Sequence, residues 1–132
     1  MTSAQLIREL ANKDWIDPET AAEVLGLPIL AIDRVTVYRC EYQLGSNELF
    51  VDATAVVGSR DSHWSIIDLV PRDLELDALG LPPHQQRPLL KHTSEGAELV
   101  GIEHHVKVRA GELVVVTAGT SERIERVTLM AR

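Results

Sequence analysis

Between residues 99 and 109 apolar and polar side chains alternate with a period of two. Val100, Ile102, His104, Val106 and Val108 fall on one side, and Glu103, His105, Lys107 and Arg109 on the other. That period marks a β-strand with one buried and one wet face. It also separates the adjacent imidazoles of His104 and His105, which then point in opposite directions and cannot share a metal ion or a substrate.

The first 26 residues read as two short helices. Thr2 with Gln5 makes a capping box ahead of Leu6, Ile7, Leu10 and Ala11 on one face. Asp17-Pro18 supplies an N-cap and a first-turn proline, and Gly26 a stop after Ala21, Ala22, Val24 and Leu25. Trp15 and Ile16, between the helices, are placed to staple both onto a sheet.

Strand patterning dominates the rest. Residues 30–44 read as one β-rich run ending at the turn Gly45-Ser46-Asn47, and residues 48–57 answer it. Leu49, Val51, Ala53, Ala55 and Val57 are assigned to one face of that long hairpin. Residues 63–70 form a third strand. Residues 71–79 are a short helix ended by Gly80 or an extended segment, and the proline-rich residues 81–88 a mobile loop. Residues 97–109, 113–118 and 122–131 then form a meander, with turns at 110–112 and 119–121. The expected fold is α+β: an antiparallel sheet of five to seven strands with two short N-terminal helices packed on one face. A helical segment (1–26) and a mostly β segment (29–132) make one domain.

Composition narrows this further. Aromatic residues are only 4% of the chain, so the core is built from Leu, Val, Ile and Ala. No apolar run approaches the ~20 residues that span a bilayer, no secretory signal is visible, and the single cysteine, Cys40, suits a reducing compartment. These features point to the cytoplasm. A net charge of -7 with scattered basic residues weighs against nucleic acid and favours a basic protein partner.

Reactive groups are few. His104, on the apolar strand face, requires a buried partner, and His105 sits beside Glu103 and Lys107 on the polar face. His84, His92 and His105 are the one histidine set to weigh for a metal, without the spacing of a known ligand motif. Ser59, Ser62 and Ser65 lie near Asp61 and His63 without a nucleophile elbow, and Cys40 shares a strand face with Tyr38 and Tyr42. No catalytic residue, metal or cofactor is assigned. Carboxylates gather from Asp61 to Asp77, interspersed with Arg60 and Arg72. Asp61, Asp73, Glu75 and Asp77 are the candidate partner-binding residues.

Two stretches resemble known families. Ala22, Leu25, Gly26, Leu27, Ile32 and Val35 are spaced as in a helix-turn-helix, but Pro28, Ile29, Leu30 and Ala31 would set an uncharged stretch against DNA. A helix followed by a strand explains the same residues. Ile32-Asp33-Arg34-Val35, Gly101-Ile102-Glu103 and Val106-Lys107-Val108-Arg109 with Gly111-Glu112 are similar to hot-dog hydroxyacyl dehydratases. That family's His-Phe-Pro segment and long central helix have no counterpart between Val57 and Leu81. The resemblance therefore implies a curved antiparallel sheet and carries over no catalytic residue.

The expected function is a non-enzymatic acidic protein-binding module, an inhibitor or immunity protein that neutralises a basic, nuclease-type toxin. The alternative is a small-molecule or acyl-thioester protein using the sheet–helix cleft, with His63, His105 or a carboxylate as its polar group. Pairing of exposed edge strands into a homodimer is a third expectation.

Overall fold

Two capped amphipathic helices open the chain, where the apolar spacing places them. α1 (Ser3–Ala11) starts at Thr2, whose hydroxyl accepts from Gln5 N while Gln5 Oε1 accepts from Thr2 N. α2 (Pro18–Leu25) starts at Asp17, which accepts from Thr20 N at 2.7 Å, and stops at Gly26 in the left-handed conformation. Each side-chain cap contributes about 1 kcal/mol. The computed structural model describes residues 1–59 and 63–132.

Eight antiparallel strands follow: β1 (Ala31–Thr36), β2 (Arg39–Gln43), β3 (Phe50–Gly58), β4 (Trp64–Pro71), β5 (Gln85–Thr93), β6 (Gly96–Val108), β7 (Gly111–Ala118) and β8 (Ile124–Ala131). A third helix, the single turn α3 (Leu76–Leu79), lies between β4 and β5 and ends at Gly80. The sheet order is β1-β2-β3-β4-β8-β7-β6-β5. Two four-stranded meanders thus meet through β4 and β8, leaving the first strand of each, β1 and β5, at the sheet edges.

One face of the sheet carries the core. Ala53 and Ala55 of β3, Ile67 and Leu69 of β4, Val127 and Leu129 of β8, Leu113 and Val115 of β7 and Val106 of β6 are buried together with Ile7, Leu10, Ile16 and Leu25 of the helical segment. Aliphatic residues do supply nearly all of it, Phe50 being the one aromatic in the core cluster. Ser65 is the polar exception on β4, and its hydroxyl donates to the Ile16 carbonyl. That bond ties the inter-helix segment to the sheet at the point where Ile16 is fully buried.

The strand count exceeds the expected five to seven for two local reasons. The run 30–44 breaks into β1 and β2, because the chain turns at Val37-Tyr38 and the Tyr38 N–H is taken up by the Thr36 hydroxyl. Residues 85–88, expected in a loop, begin β5. Pro88 is accommodated because β5 is an edge strand, where a proline nitrogen facing away from β6 removes no ladder bond. Val51 also departs from its assigned face. A register shift between Phe50 and Asp52 turns Val51 outward and leaves Phe50 fully buried. No helix-turn-helix forms, since β1 stands where its second helix would be. Among the described residues no helix exceeds nine residues, so a long central helix of the hot-dog kind is also lacking, and none is long and apolar enough to cross a membrane.

Candidate binding groove and the histidine chain

Aromatic side chains are scarce, and their placement is uneven. Of the five in the chain, Trp15, Tyr38, Tyr42 and Trp64 line a single open groove of about 370 Å³ beside the β1 edge. β2 supplies Cys40 and Tyr42, the β1–β2 turn supplies Val37 and Tyr38, and the start of α2 supplies Asp17 and Glu19. α2 packs against β3 and β4, and the groove opens where the start of α2 meets β2.

Two contacts fix its walls. Trp64 is the cross-strand partner of Gly58, and its indole occupies the space that a side chain on Gly58 would need. Gly58 is therefore required by space, not by its backbone angles. Tyr42 stands close to Glu19, and burial, then the Glu19 charge, raises the phenol above its usual pKa of 10.0. Arg34 and Arg39 also border the groove, and Arg39 is held by Glu41 at 3.0 Å.

Beside the groove, β1 is exposed along its whole length. Ile29, Leu30, Ile32, Val35, Val37 and Tyr38 are six of the twelve exposed large hydrophobic residues among those described. The two edges differ. β5 carries Pro88, Arg87 and Lys91, residues that discourage pairing with another strand. β1 has no proline or lysine, and its protection is limited to Asp33, Arg34 and one bulge before Thr36.

The histidines divide between the two faces of β6, as the alternation predicts. His104 is buried on the core face and its required partner is His84, with His84 Nε2 and His104 Nδ1 2.8 Å apart. His84 Nδ1 lies 2.7 Å from the Pro82 carbonyl, and His104 Nε2 lies 3.3 Å from the Thr117 hydroxyl. Burial, and then the neighbouring His84, lowers the pKa of His104 from 6.5. His105, on the opposite face, is not a simple solvated residue. Its two ring nitrogens meet Glu112 at 2.9 Å and Glu103 at 3.1 Å, bonds that raise its pKa. A metal shared by His84, His92 and His105 does not fit this arrangement, since His84 is engaged by His104, His105 by two carboxylates, and His92 pairs with Ala97 near the far end of β5.

The remaining candidates are scattered. Asp73, Glu75 and Asp77 are all exposed on one short segment, while Leu74 and Leu79 beside them point into the core. Arg123 reaches Asp73 at 3.8 Å. Asp61 and Ser62 lie outside the described residues. Ser65 is buried against Ile16, whereas Ser59 and His63 border the groove. Sequence reasoning placed Cys40, Tyr38 and Tyr42 together but did not join them to Trp15 and Trp64. The available signal was the scarcity of aromatic residues itself.

A second cleft, of about 390 Å³, lies between α1 and the β6–β7 hairpin. Ile7, Ala11, Leu79, Val106 and Leu113 form its floor, and Arg8 and Lys107 border it. Comparison with family models, with curated proteins and with solved structures finds no match to this chain.

Proposed function

We propose that this chain is a non-enzymatic binding module whose partner is a basic protein, in the manner of a cytoplasmic inhibitor or immunity protein that neutralises a nuclease-type toxin. The observation that carries this reading is the concentration of exposed apolar side chains on β1 and its flanks, residues 29–38, at an edge with an unpaired backbone ladder. Exposed apolar side chains concentrated in one segment mark a protein contact, and an open strand edge offers main-chain hydrogen bonds to an added strand. The overall charge of -7 supplies the attraction for a basic surface. Asp73, Glu75 and Asp77, with Asp61, are the residues that would steer that encounter.

A second reading, a small-molecule site, is favoured by the α1–β6 cleft, where an apolar floor meets the cations Arg8 and Lys107. A short apolar carboxylate or acyl group is the ligand chemistry that combination suits.

Affinity capture of the tagged chain from extract of its own cells, followed by native mass spectrometry, separates the two. A stoichiometric basic protein released at high salt is the expected result. A co-purifying small molecule with no protein would instead favour the cleft.

A further inference from the structure

The groove beside β1 has a chemistry of its own. Four aromatic rings and two carboxylates, Asp17 and Glu19, border one open space, with Arg34 and Arg39 on its rim. Ring faces carry negative charge in their quadrupole, so rings and carboxylates act in the same direction on any ligand. At the α2 wall, where Asp17 and Glu19 stand, an anion would be repelled. A neutral apolar group would cover the two carboxylates without giving them a counter-charge, which is unfavourable. A cation satisfies both.

We infer that this groove is a receptor for a cationic side chain, arginine or lysine, carried by the segment that docks along β1. The inference rests on the reading of the chain as a binder of a basic protein. Several features of the groove support it. Glu19 and Tyr42 line the same wall, close enough for the Glu19 charge to act on the phenol, so a carboxylate and a ring face one ligand position together. Trp64 is fixed over Gly58 and supplies an aromatic wall at the other side of the same space. Arg34 and Arg39 also line the space, but Arg39 is paired with Glu41, and among the described residues no ion pair joins Arg34 to Asp17 or Glu19. Arginine fits best, because its planar guanidinium stacks on a ring while donating to a carboxylate.

The test uses the full chain and a small probe, independent of any protein partner. Both tryptophans of the sequence, Trp15 and Trp64, line the groove, so intrinsic fluorescence reports its occupancy. N-acetyl-arginine amide is titrated at low salt, with N-acetyl-leucine amide and N-acetyl-glutamate amide as controls. The expected result is a saturable arginine response with a Kd on the order of 1–10 mM. Glu19→Gln, at an exposed position of α2, should weaken it roughly tenfold by removing one charge-assisted hydrogen bond. An arginine response absent, unaffected by Glu19→Gln, or matched by either control would overturn the inference. Partner capture through β1 is read in a separate experiment, so a silent groove with capture intact sinks the cation receptor and leaves the binding module standing.

Discussion

His84 and His104 share one hydrogen bond, Nε2 to Nδ1 at 2.8 Å, and it continues a chain from the Pro82 carbonyl to Thr117. The Pro82 carbonyl only accepts, so His84 Nδ1 carries a proton. In the neutral pair His104 Nδ1 donates to His84, and His104 Nε2 accepts from the Thr117 hydroxyl. A proton added at His104 Nε2 leaves its Nδ1 bond to His84 in place and reverses the next one: Nε2 donates to Thr117, and the hydroxyl turns to the Ile102 carbonyl 3.4 Å away. A second proton would set N–H against N–H.

Acid should therefore weaken the fold through His104. Its folded pKa lies below 6.5, mainly through burial and then through His84. The unfolded chain thus binds the proton more readily, and this contribution is present above pH 6.5 and lost as pH falls toward the folded value. Between pH 8 and pH 5 urea midpoints should fall more steeply toward acid in the wild-type chain than in His104→Gln, which should also be less stable at pH 8. An undiminished acid-side slope in His104→Gln would rule out His104 as its source.

His105 acts with the opposite sign. Hydrogen bonds first to Glu112 and then to Glu103 raise its folded pKa above 6.5. Its stabilisation is complete below pH 6.5 and is lost as pH rises through the folded value. In an NMR titration Glu112→Gln should lower the His105 pKa more than Glu103→Gln does. Equal or reversed effects would mean that the Glu112 bond is not the stronger one.

Gly58→Ala tests the groove wall. A methyl group there collides with the Trp64 indole, and overpacking of this kind costs about 1–3 kcal/mol. Thermal melts should show the loss, together with a changed tryptophan emission as Trp64 is displaced. A variant with unaltered melting and emission would mean that the indole is not seated over Gly58.

Much of this arrangement was legible in the sequence, wherever local chemistry decides. The caps at Thr2 and Asp17, the stop at Gly26 and the alternation that separates His104 from His105 rest on spacing alone. The missed features are those set by tertiary context. A one-residue bulge at Val51 inverts a face without altering composition. Pro88 reads as a loop until its strand is known to lie at an edge. The partner of His104 is 20 residues away, and Trp15 and Trp64 come to one groove from α2's leading segment and β4, a juxtaposition no local pattern encodes.

Exposed carboxylates should govern rate more than stability. Asp73→Lys, Glu75→Lys and Asp77→Lys combined should slow association with the captured partner, and wild-type association should slow steeply with added salt. Thermal stability should change little, since the neighbouring Leu74 and Leu79, not the acids, pack into the core. An unchanged association rate would remove these residues from the contact.

The most direct test is to compare capture by the wild-type chain with capture by Ile32→Asp/Val35→Asp, two exposed positions on β1. Placing two charges on an apolar docking edge should weaken partner binding by about 100-fold or more, the scale of losing interface hot spots, with the melting temperature nearly unchanged. A basic protein recovered with the wild-type chain and absent from the variant is the predicted result. Equal recovery of the same protein by both chains would contradict docking at β1.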